Sequence, residues 1–303
     1  MVSLSDGQRP RALITGHDGF TGAYVAHEME AAGYEVIGLS HSATAAANVI
    51  CADLLDRNAL QAAMAHVRAD VVIHLAAIAF VAHGDAEALY RVNVVGTRNL
   101  LDALEQARHR PRVVILASSA NIYGNASDEP ITEETPPAPA NDYAVSKLAM
   151  EHMARLWTDR LPIVITRPFN YTGVGQDEQF LIPKIVGHFR RGEREIELGN
   201  IRVWRDFSDV RDVARAYGAI AATSPAGQVF NICSGKPHSL EEILEIMAGI
   251  AGYRIAVRVN SSLVRANEVV RLVGSAGRLA AMTGQAPSIP LRETLEWMYR
   301  GVA

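Results

Sequence analysis

The chain has 303 residues, of which 49% are hydrophobic and 20% charged, so it can bury a full core in one large or two modest domains. Its formal net charge is -4 and no long run of one sign occurs, which argues against nucleic acid or an anionic membrane as a main partner. Cys51 and Cys233 are the only cysteines and lie far apart, which indicates a reducing cytoplasm and excludes a cysteine-based zinc site. We expect no metal.

No apolar stretch approaches the roughly 20 residues that a membrane helix needs. The first residues also lack a basic segment followed by an apolar run. We therefore expect neither a membrane span nor a signal peptide.

Short apolar runs alternate with longer amphipathic segments in the first half of the chain. The runs that predict buried strands are Ala12–Ile14, Val36–Leu39, Val71–Leu75, Val113–Leu116 and Ile163–Ile165. The segments with apolar residues at helical spacing are 22–32, 54–67 and 90–107. Continuous β-branched runs are typical of parallel strands covered on both faces. The alternation predicts an α/β fold with a Rossmann-type, doubly wound parallel sheet.

The regular alternation ends near Asn170. Residues 228–232 again have the composition of a strand, and Ser239 with Glu242 predicts a capped helix that ends at Gly252. We expect a dinucleotide-binding domain over residues 1–170, to which residues 212–236 return. A smaller α/β substrate domain is expected over residues 171–211 and 237–303.

A glycine turn follows the first predicted strand. Gly16, Gly19 and Gly22 recur at intervals of three and open a predicted helix. Such a turn lets the backbone approach a pyrophosphate, to which the helix N-terminus points its N–H groups. We therefore expect Gly16, Gly19, Phe20, Thr21 and Gly22 to bind a dinucleotide.

The second predicted strand should end beside the adenosine ribose of that cofactor. Its end contains Ser40 and His41 but no carboxylate, and Glu35 begins the strand and should point away. The absence of a carboxylate favours NADP as the cofactor, with NAD possible. Ser40 and His41 are candidates to donate hydrogen bonds to the 2′-phosphate of NADP. That His41 is simply a surface histidine stays open as the alternative. Asp53, with Leu54, is a candidate adenine contact or the N-cap of the next helix.

Tyr143 and Lys147 are four residues apart, so both project from one face of a predicted helix. A free tyrosine has a pKa of about 10, and a neighbouring lysine cation favours its phenolate. Ser119 follows a predicted strand and offers a hydroxyl to a substrate oxygen. The three residues predict an enzyme that reduces or oxidises at a carbonyl, with Tyr143 transferring the proton. Lys147 can also hold the ribose of the nicotinamide nucleotide, so Tyr143 and Lys147 are cofactor-binding candidates as well.

These motifs resemble those of the extended short-chain dehydrogenases/reductases of the nucleotide-sugar class. The matching segments, in a resemblance that covers essentially the whole chain, are 15–22, 74–77, 93–97, 118–124, 143–147 and 167–170. The resemblance implies that Ser119, Tyr143 and Lys147 form the catalytic triad. It also implies that the segment Leu75, Ala76 and Ala77 lines the cofactor.

Within that family, residues 167–176, 198–200, 205–212, 231–235 and 265–268 resemble the GDP-sugar branch. A sugar diphosphate requires forked guanidinium donors, for which Arg205 and Arg265 are the candidates; a surface ion pair with Asp206 or Asp212 is the alternative. The further candidate substrate contacts are Ser119, Asn121, Asn170, Lys184 and Glu268.

The family's sugar dehydratases carry an acidic residue where this chain has Ala120 and Asn121, so dehydration is disfavoured. We expect NAD(P)H-dependent reduction of the 4-keto group of a GDP-4-keto-6-deoxyhexose. A nucleotide-sugar 4-epimerase with tightly held NAD, and a non-catalytic redox sensor, stay as alternatives. The helices over 85–107 and 143–160 are expected to pair in a homodimer, with an apolar surface formed by Ala103, Leu104, Leu148, Met153 and Leu156.

Overall fold

The computed structural model describes residues 9–42, 46–79, 85–126, 130–260 and 269–301. The chain divides into two compact units. The first unit comprises Met1–Ser119, Asn141–Arg167 and Ala214–Phe230, and the second comprises Ala120–Ala140, Pro168–Val213 and Asn231–Ala303.

These boundaries differ from the expected domains at residues 120–140, 168–170, 212–213 and 231–236, which belong to the second unit. The physical reason is hydrogen bonding within that unit. Tyr123 donates to Asn231 at 2.8 Å, and the Ile131 amide donates to the Val273 carbonyl at 2.9 Å. The binding role of each domain stays a prediction.

The strands of the described ranges follow in chain order: β1 (Arg11–Thr15), β2 (Glu35–Ser40), β3 (Val49–Cys51), β4 (Val71–His74), β5 (Val113–Ala117), β6 (Ile163–Pro168), β7 (Asn170–Thr172), β8 (Glu195–Leu198), β9 (Trp204–Asp209), β10 (Val229–Ile232), β11 (Pro237–Ser239), β12 (Ala256–Val259) and β13 (Arg271–Leu272). The helices are α1 (Phe20–Ala31), α2 (Arg57–Val67), α3 (Ala86–Tyr90), α4 (Thr97–Gln106), α5 (Asp142–Ala154), α6 (Leu181–Arg190), α7 (Val210–Thr223), α8 (Leu240–Ala251), α9 (Gly277–Thr283) and α10 (Leu291–Arg300). Short 3-10 turns cover Ala120–Tyr123 and Arg155–Trp157.

Seven strands of the described ranges form one sheet in the order β10-β6-β5-β4-β1-β2-β3. Pairing is parallel from β6 through to β3, and the order reverses between β1 and β4. The β-branched residues of β4 and β5 are fully buried, as expected for strands covered on both faces. The predicted Rossmann-type fold is confirmed, including the return of residues 229–232 to the sheet.

The predicted helix over residues 90–107 is interrupted. A π-helical segment over Arg91–Gly96 separates α3 from α4. Where this segment meets α4, the Thr97 hydroxyl donates to the Asn93 carbonyl oxygen at 2.8 Å, and both side chains are buried. A wide turn of this kind often lies at a functional site.

The second unit contains smaller sheets. In it β9 pairs with β7, β11 and β13, and β8 pairs with β12. Its core is formed by α6, α8 and α10, with Phe189, Ile243 and Leu295 fully buried. The expected capping box is confirmed, because Ser239 accepts from the Glu242 amide and Glu242 accepts from the Ser239 amide.

Candidate active site

The glycine turn lies where β1 ends, beside the point at which strand order reverses. Gly16 has φ +68°, and a Cβ there would lie 2.9 Å from the Ala76 amide nitrogen. A Cβ on Gly22 would lie 2.1 Å from the Gly16 carbonyl oxygen. Because these glycines have no side chain, the backbone of the turn packs closely on its neighbours. The helix α1 begins there with no side-chain hydrogen bond at its N-cap and no acidic residue in its first turn. This is the arrangement that a pyrophosphate requires.

A buried chain of polar groups fixes the loop after β4. Thr97 accepts from Nε2 of His74 at 2.8 Å, and Nδ1 of His74 accepts from Thr15 at 2.6 Å. The Thr97 hydroxyl donates its own proton to the Asn93 carbonyl, so it can only accept from His74. We therefore assign the proton of the neutral His74 ring to Nε2. Thr15 in turn accepts from the Ala76 amide at 3.1 Å, so the predicted cofactor residue Ala76 is held by this chain.

The charge state of His74 agrees with that assignment. Burial, and then the charge of Lys147, lower the pKa of His74 to about 3. His74 is therefore neutral, and its two nitrogens serve one as donor and one as acceptor.

The same network continues to the catalytic helix. The Asn93 side-chain amide donates to the Ile78 carbonyl and to the Ser146 hydroxyl, both at 3.1 Å. Ser146 then donates to the Tyr143 carbonyl at 2.8 Å. Sequence reasoning missed these links because they join residues far apart in the chain.

Lys147 is buried one turn along α5 from Tyr143. Its Nζ donates to the Ala117 carbonyl at the end of β5, 2.8 Å away, and lies 6.0 Å from the centroid of the Tyr143 ring. Burial lowers the pKa of Lys147 to about 8, against the opposing effect of the Glu151 charge. Ser119, which is 7% exposed, follows β5 two residues after Ala117. The structure thus brings β5 and α5 together at the predicted triad.

A buried ion pair supports this helix one turn further on. Arg167 in β6 donates to both Glu151 oxygens, through Nε at 2.9 Å and Nη2 at 2.7 Å. The two side chains are only 4% and 0% exposed. The forked geometry fixes α5 against β6 and places a carboxylate on the Lys147 face of the helix.

The described residues fit a dinucleotide. Besides the glycine turn, the buried hydroxyl of Ser118 has no hydrogen-bond partner within the described protein. A buried hydroxyl without a partner is costly, which indicates a group that the chain itself does not supply. Ser118 lies directly between Ala117, which binds Lys147, and the predicted catalytic Ser119.

The ribose end of the predicted cofactor site differs from expectation. The Ser40 hydroxyl donates to Asp18 at 2.9 Å and accepts from the Ser42 amide at 3.2 Å, so its one proton is already used. A carboxylate therefore does lie at the end of β2, but it comes from the glycine turn. His41 is exposed.

The predicted alternative role of Asp53 as a helix N-cap is wrong. Asp56 caps α2, accepting from the amides of Asn58 and Ala59, both at 3.0 Å. Asp53 instead accepts from the Leu55 amide at 2.9 Å in the turn before the helix, because Asp56 directly precedes the first helical residue, Arg57, and takes the cap position. Its contact with adenine, like that of Leu54, stays a prediction.

The predicted substrate residues lie in the second unit, apart from Ser119. Asn121 is in the first 3-10 turn and Asn170 begins β7, and both are half-buried. Lys184 in α6 donates to the Glu197 carbonyl at 2.8 Å. Arg205 in β9 donates to the Trp204 carbonyl at 2.9 Å. Arg265 and Glu268 lie outside the described residues.

The two carboxylates given as alternative partners of Arg205, Asp206 and Asp212, both accept from backbone amides. Asp206 accepts from the Ser234 amide at 2.7 Å and the Gly235 amide at 2.8 Å. Burial raises the pKa of Asp206, against these hydrogen bonds. Asp206 therefore holds the loop after β10. Asp212 likewise accepts from the amides of Ser288 and Ile289.

A doubly wound fold with a serine after β5 and a Tyr-Lys pair in α5 is that of the extended short-chain dehydrogenases/reductases. The chain belongs to the NAD dependent epimerase/dehydratase family, whose model matches residues 12–233.

Similar proteins cover almost the whole chain. It is 34% identical over 298 residues to the GDP-6-deoxy-D-mannose reductase of Pseudomonas aeruginosa, covering 94% of each chain. It is 30% identical over 292 residues to the GDP-6-deoxy-D-talose 4-dehydrogenase of Aggregatibacter actinomycetemcomitans, covering 96% of this chain and 97% of the relative. The structure of RMD from Pseudomonas aeruginosa complexed with NADPH has a TM-score of 0.84 at 32% identity, covering 96% of this chain and 98% of that one.

No helix among the described residues has the length and apolar character to cross a membrane. In the same part of the chain, no group of three or more histidine, cysteine or acidic side chains has the geometry to hold a metal ion.

Proposed function

We propose that this chain catalyses the NAD(P)H-dependent reduction of the 4-keto group of a GDP-4-keto-6-deoxyhexose, giving GDP-D-rhamnose or a related GDP-deoxysugar. The observation that carries the proposal is the buried Lys147, held on the Ala117 carbonyl beside the Tyr143 ring. Two relatives that span almost the whole chain are named for redox enzymes of GDP-6-deoxysugars, which supports the substrate class.

The chain's own residues would handle the proton and the carbonyl oxygen. Ser119 would donate a hydrogen bond to that oxygen, and Tyr143 would transfer its proton to it. The Lys147 cation stabilises the phenolate that Tyr143 becomes. A reduced nicotinamide dinucleotide, its pyrophosphate held by the glycine turn, would supply the hydride to the carbonyl carbon, so that the ketone becomes an alcohol and the cofactor is oxidised.

Dehydration is disfavoured by the residues after Ser119. Ala120 is 1% exposed and has no group that can move a proton, and Asn121 does not titrate. Removal of a sugar hydroxyl needs both an acid and a base, so this turn lacks the required chemistry. Reduction needs only one proton from the chain, that of Tyr143, because the hydride comes from the cofactor.

In the same proposal, the nucleotide diphosphate and sugar are bound by Asn121, Asn170, Lys184 and Arg205, together with Arg265 and Glu268 from outside the described residues. Arg205 and Arg265 supply the forked donors that a diphosphate accepts. The Lys184 ammonium has three N–H donors, of which the Glu197 carbonyl takes one.

The test is direct turnover. Purified protein is mixed with GDP-4-keto-6-deoxy-D-mannose and either NADH or NADPH, and loss of nicotinamide absorbance is followed. We expect oxidation of the cofactor that depends on the ketosugar, and NMR of the product identifies the C4 configuration. A Tyr143→Phe protein is the matched control. Absence of turnover with both cofactors would refute the proposal.

A second candidate is a nucleotide-sugar 4-epimerase, which the family description also covers. Such an enzyme oxidises and then reduces C4 with the same residues, so it must retain its NAD between the two steps. NAD that copurifies and resists dialysis, with interconversion of C4 epimers, would favour it. A non-catalytic redox sensor is less supported, because Ser119, Tyr143 and Lys147 are all present.

We also propose a homodimer in the cytoplasm. Three exposed apolar side chains lie in this part of the first unit. Val145 (38% exposed) is in α5, Leu156 (70%) is in the 3-10 turn that follows α5, and Val95 (46%) is in the π-helical segment. Of the surface expected from the sequence, Ala103 and Leu104 instead lie in the unit's own core. Light scattering at micromolar concentration checks the mass of the dimer, and Leu156→Glu should shift that mass towards the monomer.

The proposed location in the cytoplasm is supported by the cysteines. Cys51 and Cys233 are both free thiols, which supports a reducing compartment.

A further inference from the structure

The carboxyl end of β2, where the adenosine ribose of a dinucleotide would bind, has a carboxylate beside it. Asp18 is exposed in the glycine turn, and its Oδ2 accepts from the last side chain of β2, Ser40, at 2.9 Å. Dinucleotide-binding folds place a carboxylate at this end of the second strand to bind the ribose hydroxyls. Asp18 therefore occupies the position of a residue that the β2 sequence itself lacks.

The glycine turn is held in this place by more than one contact. A Cβ on Gly38 would lie 2.8 Å from Cγ of His17, so the missing side chain in β2 admits the His17 ring. The Gly16 amide also donates to the Leu39 carbonyl at 3.2 Å. The turn thus packs on the end of β2, which explains why Asp18 and Ser40 meet although they are 22 residues apart.

The strands and the helix that form this end of the first unit offer no lysine or arginine of their own to bind a 2′-phosphate. The sequence contains no lysine or arginine between Arg11 and Arg57, a stretch that includes β1, α1, β2 and β3. Arg11 begins β1 and pairs with Glu35, and Arg57 pairs with Asp102. Recognition of a 2′-phosphate normally requires such a cation.

Asp53 adds a second carboxylate just beyond β3, which is the neighbour of β2 in the sheet. The other basic side chains near the same strand end, His17 and His41, are imidazoles and not the guanidinium that a 2′-phosphate usually requires. A 2′-phosphate would therefore meet carboxylates without a fixed counter-charge, and juxtaposed like charges weaken binding.

We propose that Asp18, oriented by Ser40, is the residue that selects NAD over NADP by accepting from the adenosine ribose hydroxyls and repelling a 2′-phosphate. This inference depends on the proposed function only in that both use the dinucleotide site. It sets this chain apart from the similar RMD structure, which is complexed with NADPH.

The test measures binding of NAD⁺ and NADP⁺ by calorimetry, without any sugar. We expect the native protein to bind NAD⁺ at least about tenfold more tightly than NADP⁺. Asp18→Asn keeps an oxygen that can accept from Ser40 but removes the charge, so it should reduce that ratio about fivefold or more. Asp18 is exposed, so this variant should fold, which its melting temperature checks.

Two further variants sharpen the result. Glu35→Gln makes the same charge change at the opposite end of β2 and should leave the ratio unchanged. His41→Arg adds a guanidinium at the end of β2 and should improve NADP⁺ binding. Equal or tighter binding of NADP⁺ by the native protein, or an unchanged ratio in Asp18→Asn, would overturn the inference. Neither result bears on turnover of the ketosugar, on which the proposed function depends.

Discussion

The ionisable groups predicted for chemistry, in the first unit, and those predicted for the sugar nucleotide, in the second, differ in how firmly they are held. In the first unit, Lys147, Glu151 and Arg167 are buried and hydrogen-bonded to fixed partners. In the second, Lys184 and Arg205 are only partly buried and donate to backbone carbonyls. The difference indicates that the groups for chemistry are positioned before any ligand binds, as catalysis requires. The groups predicted for the sugar nucleotide retain more freedom.

Loss of the Tyr143 hydroxyl is the most severe test of this preorganised region. Tyr143→Phe removes the proposed proton donor without changing the ring, so kcat should fall about 1,000-fold. Steady-state turnover of the ketosugar measures it. Calorimetry of cofactor binding serves as the control, because the glycine turn is untouched. A kcat within tenfold of the native value would contradict the assignment of Tyr143.

The buried ion pair behind Lys147 should matter for folding. Glu151→Gln leaves the Arg167 guanidinium buried without its counter-charge, which should lower the free energy of unfolding by about 3–5 kcal/mol. Urea unfolding measures this loss. Glu105→Gln is the matched control, since Glu105 pairs with Arg160 near the surface and its loss should cost about 1 kcal/mol or less. Equal losses in the two variants would remove the contrast between buried and exposed pairs.

The pKa of Lys147 predicts a pH dependence. Burial lowers this pKa from 10.5 to about 8, so the cation is present below pH 8 and lost above it. We expect kcat to fall above that pH, by about tenfold per unit. Lys147→Arg, whose side chain stays charged, should be less active but lack this limb. A native profile that is flat through alkaline pH would show that the Lys147 cation is not required.

The same shift has a consequence for stability, with the opposite sign. Between about pH 8 and 10.5 the unfolded chain holds the Lys147 proton and the folded chain does not. Because the unfolded state binds more protons there, the free energy of unfolding contributed by Lys147 rises with pH across this window. Activity and this contribution to stability should therefore change in opposite directions.

Local spacing was enough to predict the Tyr143 and Lys147 pair and the glycine turn. A four-residue interval on a helix fixes which side chains share a face, and a strand followed by regular glycines fixes a turn. The fold followed from the alternation of apolar runs, because buried parallel strands need covering helices.

The features of the site that sequence reasoning missed depend on contacts between segments that are distant in the chain. Asp18 reaches the end of β2 where Gly38 leaves room for the His17 ring, a fact of packing that the β2 sequence does not reveal. The chain of His74, Thr97 and Asn93 likewise joins β4 to the π-helical segment. Asp18 stands next to the dinucleotide glycines in the sequence, but aspartate is common in turns, so its position alone did not mark it as a cofactor contact.

The smallest expected effect concerns the second unit and tests its predicted role. Arg205→Ala should raise the KM for the ketosugar about tenfold, because a charged hydrogen bond to the diphosphate is lost. Since this contact is the same in the bound substrate and in the transition state, kcat should change little. Arg202→Ala removes an exposed arginine from the same loop-strand segment and is the matched control.

Nucleotide binding separates this interpretation from a structural role for Arg205. GDP should raise the melting temperature of the native protein more than UDP or dTDP, since a ligand that binds only the folded state stabilises it. That rise should shrink in Arg205→Ala and persist in Arg202→Ala. If Arg205→Ala instead lowers the melting temperature without GDP and keeps the same GDP-dependent rise, Arg205 supports β9 through its carbonyl contact rather than binding the diphosphate.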